Sequence, residues 1–175
     1  MILFLWYGIL IVIFIYCLKT REGFSQGVQF IRIVNASQPV PNYIQIRELM
    51  VYDRNGNNVA LGKKTSSSGE WGGLGPEKAV DNNLTEWWSF FHSTHPPKSS
   101  DFWEVDLGKE HILARIEYFN RNDCCQNRII GCSMLLLNKD KEIVDKFDFK
   151  TDKKIQTFLL SSNENPAIRD RARWL

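Results

Sequence analysis

The residues best suited to binding chemistry are concentrated in one short string, 120–128, which reads Asn-Arg-Asn-Asp-Cys-Cys-Gln-Asn-Arg. Arg121 and Arg128 lie near its two ends, and guanidinium groups carry fixed, planar N–H donors that fork onto neighbouring hydroxyl oxygens. Asp123 is placed to brace one of these guanidinium groups. The string therefore predicts a polar binding site built around two arginines.

Three states are open for the adjacent pair Cys124 and Cys125. A disulfide between them would close a tight ring, make the string rigid and present a flat apolar surface. Two reduced thiols are expected instead if the domain faces the cytosol, where disulfides are rare. A zinc site that also uses His92 and His95 is disfavoured, because adjacent cysteines lack the reach of a C-x-x-C pair.

Composition and motifs argue against two classes of function. The 22 Lys+Arg residues nearly balance the 20 Asp+Glu residues, so no surface for nucleic acid is expected. The sequence contains no nucleophile elbow, zinc-hydrolase pair or phosphate-binding loop. It also pairs no two acidic residues in the way that glycosidases require. We therefore expect a binding protein that is not an enzyme.

The elements that must position the string are predicted to be β-strands. Several segments alternate apolar and polar residues, and Asn55-Gly56 is typical of a hairpin turn. The pattern predicts an all-β fold, an eight-stranded antiparallel β-sandwich of the jelly-roll type, with 63–100 as a long binding loop. The predicted strands are Val28–Val34, Tyr43–Tyr52, Asn57–Leu61, Phe102–Leu107, His111–Phe119, Ile129–Leu137, Glu142–Phe149 and Lys154–Leu160.

The predicted strand Tyr43–Tyr52 changes its alternation halfway along. Ile44 and Ile46 share one parity, whereas Leu49 and Val51 share the other. A β-bulge near Arg47-Glu48 would reconcile the two halves, and bulges re-aim side chains beside functional sites. Glu48 is therefore a candidate for an inward-turned carboxylate.

Several strings together resemble the F-type lectin (fucolectin) signature. His95 is followed by R-x-D-x-x-x-x-R with the cysteine pair inside it. Ala79-Val80-Asp81-Asn82-Asn83 is similar to the A-V-D-G-N loop of the wider discoidin, or coagulation factor type C, superfamily of galactose-binding-like sandwiches. Trp103 to Gly108 is similar to its W-x-V-D-L-G strand, and Ile46 to Tyr52 to its L-x-E-V-x-V-Y strand. The resemblance covers residues 28–160.

The resemblance implies a site for L-fucose or a related sugar. His95, Arg121 and Arg128 would donate hydrogen bonds to the sugar, with Asp123 bracing a guanidinium group. A disulfide between Cys124 and Cys125 would pack against the sugar ring. Trp88 would line the pocket for the sugar methyl group and Trp71 its opposite wall. Either Trp87 or Trp88 is alternatively expected to pack in the core, given their strand-like alternation.

The resemblance also implies a structural Ca²⁺ ion, since the family often binds one below this loop through hard oxygen ligands. Asp81 and Glu48 would supply carboxylates, and Asn83 and Arg47 backbone carbonyls. Asn82 replaces the glycine of the A-V-D-G-N loop, and asparagine also accepts left-handed backbone angles. His92 completes the candidate metal set and stands where the family usually has a small hydroxyl residue.

The N-terminus predicts an attachment to a membrane. Residues 1–18 carry no charge and would reach about 27 Å as a helix, enough to cross a bilayer core. A cleaved signal peptide is the alternative, although the segment has no basic start and no A-x-A-like site. A linker follows at 19–27, the lectin-like domain at 28–160 and a tail at 161–175.

The expected function is that of a membrane-anchored carbohydrate-binding module, with the domain on the extracellular or lumenal side. Lys19 and Arg21 follow the apolar segment and favour the opposite orientation by the positive-inside rule. The alternative is a discoidin-type domain that binds protein or phospholipid. A single shallow sugar site is weak, so clustering or oligomer formation is expected to supply avidity.

Overall fold

The computed structural model describes residues 26–35 and 41–160, and these form a sandwich of antiparallel β-sheets. Ten strands lie in the described residues, together with 3-10 turns at Pro76–Ala79 and Gln126–Ile129. The strands are β1 (Val28–Val34), β2 (Gln45–Ile46), β3 (Glu48–Asp53), β4 (Lys64–Ser67), β5 (Phe91–His92), β6 (Phe102–His111), β7 (Leu113–Phe119), β8 (Ser133–Leu137), β9 (Ile143–Asp148) and β10 (Ile155–Leu159).

The strands form one large and two small sheets. The five-stranded sheet has the order β4-β6-β1-β8-β9, the three-stranded sheet β10-β7-β3, and a short two-stranded sheet pairs β2 with β5. All these pairs are antiparallel. Because β1 lies at the centre of the large sheet, the N-terminal strand is integral to the domain.

One hydrophobic core joins the inner faces of the two larger sheets. Ile33 of β1 lies between Trp103 of β6 and Met134 of β8, and all three side chains are fully buried. Within the three-stranded sheet, Tyr118 of β7 pairs with Leu49 of β3. Each large apolar side chain removed from water in this way contributes about 1.5–3 kcal/mol, which is why the alternating positions face inward.

The predicted all-β sandwich of antiparallel sheets is confirmed, but the number of strands is not eight. The segment Asn57–Leu61 is not a strand. It makes a single bridge, between Asn58 and Tyr52, after the predicted turn at Asn55-Gly56. Gly56 has a φ of 82°, and Asp53 accepts the amide hydrogens of Asn55 and Asn57.

Two strands lie inside the stretch that the sequence predicts to be a loop. β4 is a polar edge strand, and β5 has only two residues, so neither carries enough alternation to be seen in sequence. At the other end of the site, the predicted strand from Ile129 begins only at Ser133. Ile130 is 40% exposed and Gly131 has a φ of 88°, so the chain turns there first.

Where the sequence predicts a β-bulge near Arg47-Glu48, the structure has a bend. The chain bends at this residue, between β2 and β3, and Ile46 and Leu49 are both fully buried although their parities differ. The same bend turns Glu48 into the protein, where it is 0% exposed.

The predicted membrane helix at 1–18, most of the linker and the tail at 161–175 lie outside the described residues. Within 26–35 and 41–160, no helix has the length and apolar character needed to cross a bilayer.

Candidate functional site

A pocket of about 330 Å³ opens beside the string 120–128. This volume lies within the range of about 300–1,000 Å³ that is usual for small-molecule sites. Arginine, histidine and aromatic side chains line it together with the cysteine pair, and no acidic residue is among these lining residues. The lining consists of Tyr43, Trp71, Trp88, Phe90, His92, His95, Arg121, Cys124, Cys125 and Arg128.

The loop that carries the arginines is closed by a side-chain clasp. Asn120 donates to the carbonyl of Gln126 at 2.9 Å, and Gln126 donates back to the carbonyl of Arg121 at 3.2 Å. Cys124 and Cys125 form a disulfide, with Cys125 in the left-handed region at a φ of 65°. The bonded sulfurs leave neither thiolate for zinc, so the zinc alternative is wrong.

Arg121 is held in place on two sides. Its Nε and Nη2 donate to the two oxygens of Asp123 at 2.8 and 2.6 Å. These hydrogen bonds lower the pKa of Asp123 to about 2, so the pair stays ionised at neutral pH. The guanidinium group also lies over Phe90, 4.7 Å from the ring centroid. Its Nη1 edge is directed to a third partner, Gln45.

Gln45 contacts both arginines through its buried side-chain amide. Guanidinium groups have donors only, so the amide oxygen of Gln45 faces them. In this orientation it accepts from Arg121 Nη1 at 2.8 Å and from Arg128 Nη1 at 3.0 Å. Gln45 is 2% exposed, and a buried acceptor shared by two cations fixes the separation of their remaining donors.

Tyr43 positions the second arginine and the exposed histidine. The Arg128 guanidinium carbon lies 4.5 Å from the centroid of the Tyr43 ring. The Tyr43 hydroxyl lies 2.6 Å from His95 Nδ1, and the two rings are stacked. In the tautomer in which the hydroxyl donates to Nδ1, the Nε2–H of His95 is the donor available to a ligand.

His92 lies in the pocket wall, although the sequence places it in the metal set. Its ring packs against Trp71 and Tyr43, with centroids 5.3 and 5.0 Å away. Nδ1 lies 2.7 Å from the carbonyl oxygen of Ser93, and Nε2 lies 2.8 Å from the Gln45 amide oxygen. Burial, reinforced by the nearby arginines, lowers the pKa of His92. At neutral pH the ring therefore carries one N–H and donates to only one of these two oxygens.

The apolar side of the pocket consists of exposed aromatic rings and the disulfide. Trp71 and Trp88 are 45% and 47% exposed, and Trp88 meets Phe90 edge to face at 5.6 Å. The expectation that either Trp87 or Trp88 packs in the core is wrong, because Trp87 is 63% exposed. The site thus combines N–H donors with flat apolar surfaces, a combination suited to a small ligand that has several oxygens and a C–H face.

A second cluster, Glu48 with Asp81, lies next to the loop that follows the turn at Pro76–Ala79. Glu48 Oε2 accepts the amide hydrogen of Asn82 at 3.0 Å, while its buried Oε1 has no hydrogen-bond partner among the described residues. Burial, with the Asp81 carboxylate as second cause, raises the pKa of Glu48 to about 8. An unsatisfied buried oxygen beside a second carboxylate fits the donor set of a hard cation.

The other predicted metal residues have visible structural roles. Asn82 has a φ of 59°, the left-handed conformation that the sequence predicts for it. The Asn83 side chain accepts from Thr85 and Glu86 and so fixes the following turn. The Arg47 guanidinium group donates to Asn122 at 2.6 Å and to the Leu84 carbonyl, which ties the two loops together. No group of three or more His, Cys, Asp or Glu side chains in the described parts of the chain is arranged around a metal position.

The structure brings most of the predicted sugar-binding residues to one pocket. Asp123 does not line it and stands behind Arg121 as its brace. Sequence reasoning missed Tyr43, Gln45 and Phe90. The one signal available was Gln45 itself, a polar residue between Ile44 and Ile46.

The chain is similar to fucolectins of Anguilla japonica. It is 35% identical to Fucolectin-4 over 86 residues, covering 46% of this chain and 48% of that protein. It is 30% identical to Fucolectin-6 over 109 residues, covering 59% of this chain and 55% of that protein. The chain thus spans about half the length of the curated relatives it matches. No solved structure matches it.

The profile of the F5/8 type C domain matches residues 62–165, more than half of the 175 residues. The strands β1 to β3 precede the matched region, yet β1 is the central strand of the large sheet, so they belong to the same domain. The matched region also contains the arginine string and most of the pocket wall. The chain therefore belongs to the F5/8 type C domain family.

Proposed function

We propose that this protein is a lectin that binds L-fucose or a closely related sugar in the pocket beside the cysteine pair. The observation that carries the proposal is the convergence of Arg121 and Arg128 on the Gln45 amide oxygen, in a pocket that the Cys124–Cys125 disulfide also lines. Two guanidinium groups held at a fixed separation select the stereochemistry of neighbouring hydroxyl groups. The disulfide and Trp88 offer the apolar surface that a sugar ring and its methyl group require.

The similarity to proteins named fucolectins supports the same ligand. It covers about half of each relative, so the sugar is proposed here from the pocket and not transferred from them. The pocket contains no acidic side chain among its described lining residues, and its donors suit neutral hydroxyl and ring oxygens. None of these described lining residues offers the nucleophile or the paired carboxylates of a sugar-cleaving enzyme.

The test is a calorimetric titration of the full chain, purified in detergent under oxidising conditions, with four sugars. We expect heat with L-fucose, weaker heat with L-galactose, which carries a hydroxymethyl group in place of the methyl group, and weak or no heat with D-galactose. D-glucose is the stereochemical control and should give none. Equal heats for all four sugars would indicate a nonselective surface. No heat from folded, disulfide-bonded protein would favour the protein- or phospholipid-binding alternative.

We further propose that a Ca²⁺ ion binds at Glu48 and Asp81, with the backbone carbonyls of Asn83 and Arg47 as additional ligands. The support is the buried Glu48 Oε1, which has no partner in the described residues, beside the Asp81 carboxylate. A bound cation would take the place of the proton that Glu48 holds at neutral pH and would offset the repulsion between the two ionised carboxylates. It would also add a further anchor to the loop 81–89, which carries Trp88 into the sugar pocket.

Calcium is expected to stabilise the fold. At a concentration about ten times Kd, binding adds about 1.4 kcal/mol, which raises Tm by roughly 5 °C for a domain of this size. Glu48→Gln should abolish this rise yet leave Tm in EDTA equal to or above that of the wild type, because it removes a carboxylate that burial penalises. Glu110→Gln, at an exposed carboxylate on β6, is the control in thermal unfolding. A calcium response that survives Glu48→Gln would place the ion elsewhere.

Gln45 is expected to act on affinity through the arginines, as a positioning residue. Gln45→Leu removes the shared acceptor and should weaken L-fucose binding about tenfold, since hydrogen bonds to charged groups contribute about 1.5–3 kcal/mol. Gln45→Glu keeps an acceptor at the same place and should restore most of the affinity. Both are measured by calorimetry. Equal affinity for L-fucose in the wild type and in Gln45→Leu would show that the two arginines bind the sugar without the hydrogen bonds to Gln45.

Presentation of the lectin from a membrane is also a proposal, and it rests on the uncharged segment 1–18. The Cys124–Cys125 disulfide supports an extracellular or lumenal domain, because disulfides persist in oxidising compartments. We expect the full chain to stay with membranes after alkaline carbonate extraction. Release into the supernatant would indicate a cleaved signal peptide. Clustering on the membrane would supply the avidity that a single shallow site lacks.

A further inference from the structure

Trp87 is the most exposed tryptophan of the described residues, and the pocket does not use it. Its side chain is 63% exposed, and it is not among the side chains that line the pocket. Its indole ring lies against that of Trp88, with centroids 4.5 Å apart and an angle of 34° between the planes. Trp88 does line the pocket, so an indole surface continues outward from the sugar site.

The loop that carries Trp87 is anchored at several points. Asp81 accepts the amide hydrogen of Asn83 at 2.8 Å and the hydroxyl hydrogen of Ser89 at 3.1 Å. Asn83 in turn accepts the amide hydrogen of Glu86 at 3.1 Å, and the Arg47 side chain donates to the Leu84 carbonyl. A large apolar ring is therefore presented to water on a loop whose backbone is already held in place.

We infer that Trp87 forms a second sugar subsite and that the ligand is an oligosaccharide whose next ring packs on the Trp87 indole. The inference rests on the proposed binding of a terminal sugar in the pocket. Pyranose rings have a C–H face, and a fixed indole offers contact area at little cost in conformational entropy. Continuity with Trp88 places this area beside the sugar that the arginines hold.

The charge of the loop favours a saccharide over a membrane surface as the occupant. Residues 83–88 carry one charged side chain, Glu86, and no lysine or arginine. Loops that dock on anionic lipid headgroups gain from basic residues near the surface, and an acidic residue opposes docking. An uncharged sugar ring meets no such penalty.

The experiment compares two ligands in calorimetry with the full chain: methyl α-L-fucoside and a disaccharide in which α-L-fucose is linked to galactose. In the wild type we expect the disaccharide to bind about five- to tenfold more tightly. Trp87→Ala should remove this advantage and leave the affinity for the methyl fucoside unchanged. Trp87→Phe should retain part of it. Ile143→Ala, at a residue of β9 that is 61% exposed, is the control and should change neither affinity.

Three other results would overturn the inference and are distinguishable from one another. An equal loss for both ligands in Trp87→Ala would make Trp87 a support for Trp88 within the pocket. Two ligands of equal affinity in the wild type would show that no second subsite exists. Quenching by brominated phosphatidylserine vesicles that depends on Trp87 would assign the ring to a membrane. If neither ligand binds, the proposed function itself has failed.

Discussion

Arg121→Ala and Arg128→Ala are each expected to weaken L-fucose binding by at least about 100-fold while the domain stays folded. Each change removes charged donors from one side of the pocket, and hydrogen bonds to charged groups contribute about 1.5–3 kcal/mol apiece. The two variants differ in one further respect, because of these two arginines only Arg121 is paired with an acidic side chain in the described part of the chain, that of Asp123. Arg121→Ala also leaves Asp123 without its partner, but that side chain is 30% exposed and water can solvate it.

Calorimetry with L-fucose and thermal unfolding of the same samples separate loss of the site from loss of the fold. Arg115→Ala is the matched control. Arg115 pairs with Glu117 at 2.8 Å on β7 of the three-stranded sheet, and it does not line the pocket. Arg128→Lys keeps the charge but not the planar donors, so it should recover little affinity. Binding that survives Arg121→Ala and Arg128→Ala would move the sugar site away from the arginine string.

Trp103→Ala is expected to lower the free energy of unfolding by about 3–5 kcal/mol, the usual result of truncating a buried tryptophan. Trp103 is 0% exposed on β6, next to Ile33 of the central strand. Its Nε1 donates to the Pro76 carbonyl at 2.9 Å, at the start of the turn that leads into the Asp81 loop. The alanine leaves both a cavity and an unpaired carbonyl, so the loss should reach the Asp81 loop as well as the core.

Urea unfolding followed by circular dichroism measures this change. Trp87→Ala is the matched control, and it should stay within about 0.5 kcal/mol of the wild type because its ring is mostly in water. Trp103→Phe should be intermediate, since it keeps most of the volume but loses the N–H donor. Equal losses in the two alanine variants would contradict the assignment of Trp103 to the core and of Trp87 to the surface.

The sequence by itself determined the fold class, the bend at Arg47 and the arginine string. Period-two alternation follows directly from the geometry of a strand with one buried face, so β1, β3 and β7 are visible in it. The change of parity between Ile46 and Leu49 revealed the bend, and hence the burial of Glu48, because every side chain on a strand must face one side or the other. Residues adjacent in the chain, such as Cys124 and Cys125, are also adjacent in space.

Only the tertiary structure decided how distant residues meet. Gln45 and Arg128 are far apart in sequence, and neither carries a local signal that one amide oxygen serves both Arg121 and Arg128. The short strands β4 and β5 exist because β6 and β2 are there to pair with them, so they have little pattern of their own. Trp87 and Trp103 are the same residue type, but Trp87 is exposed to water and Trp103 lies in the core. The difference arises because packing between sheets is a property of the assembled domain and not of the local sequence.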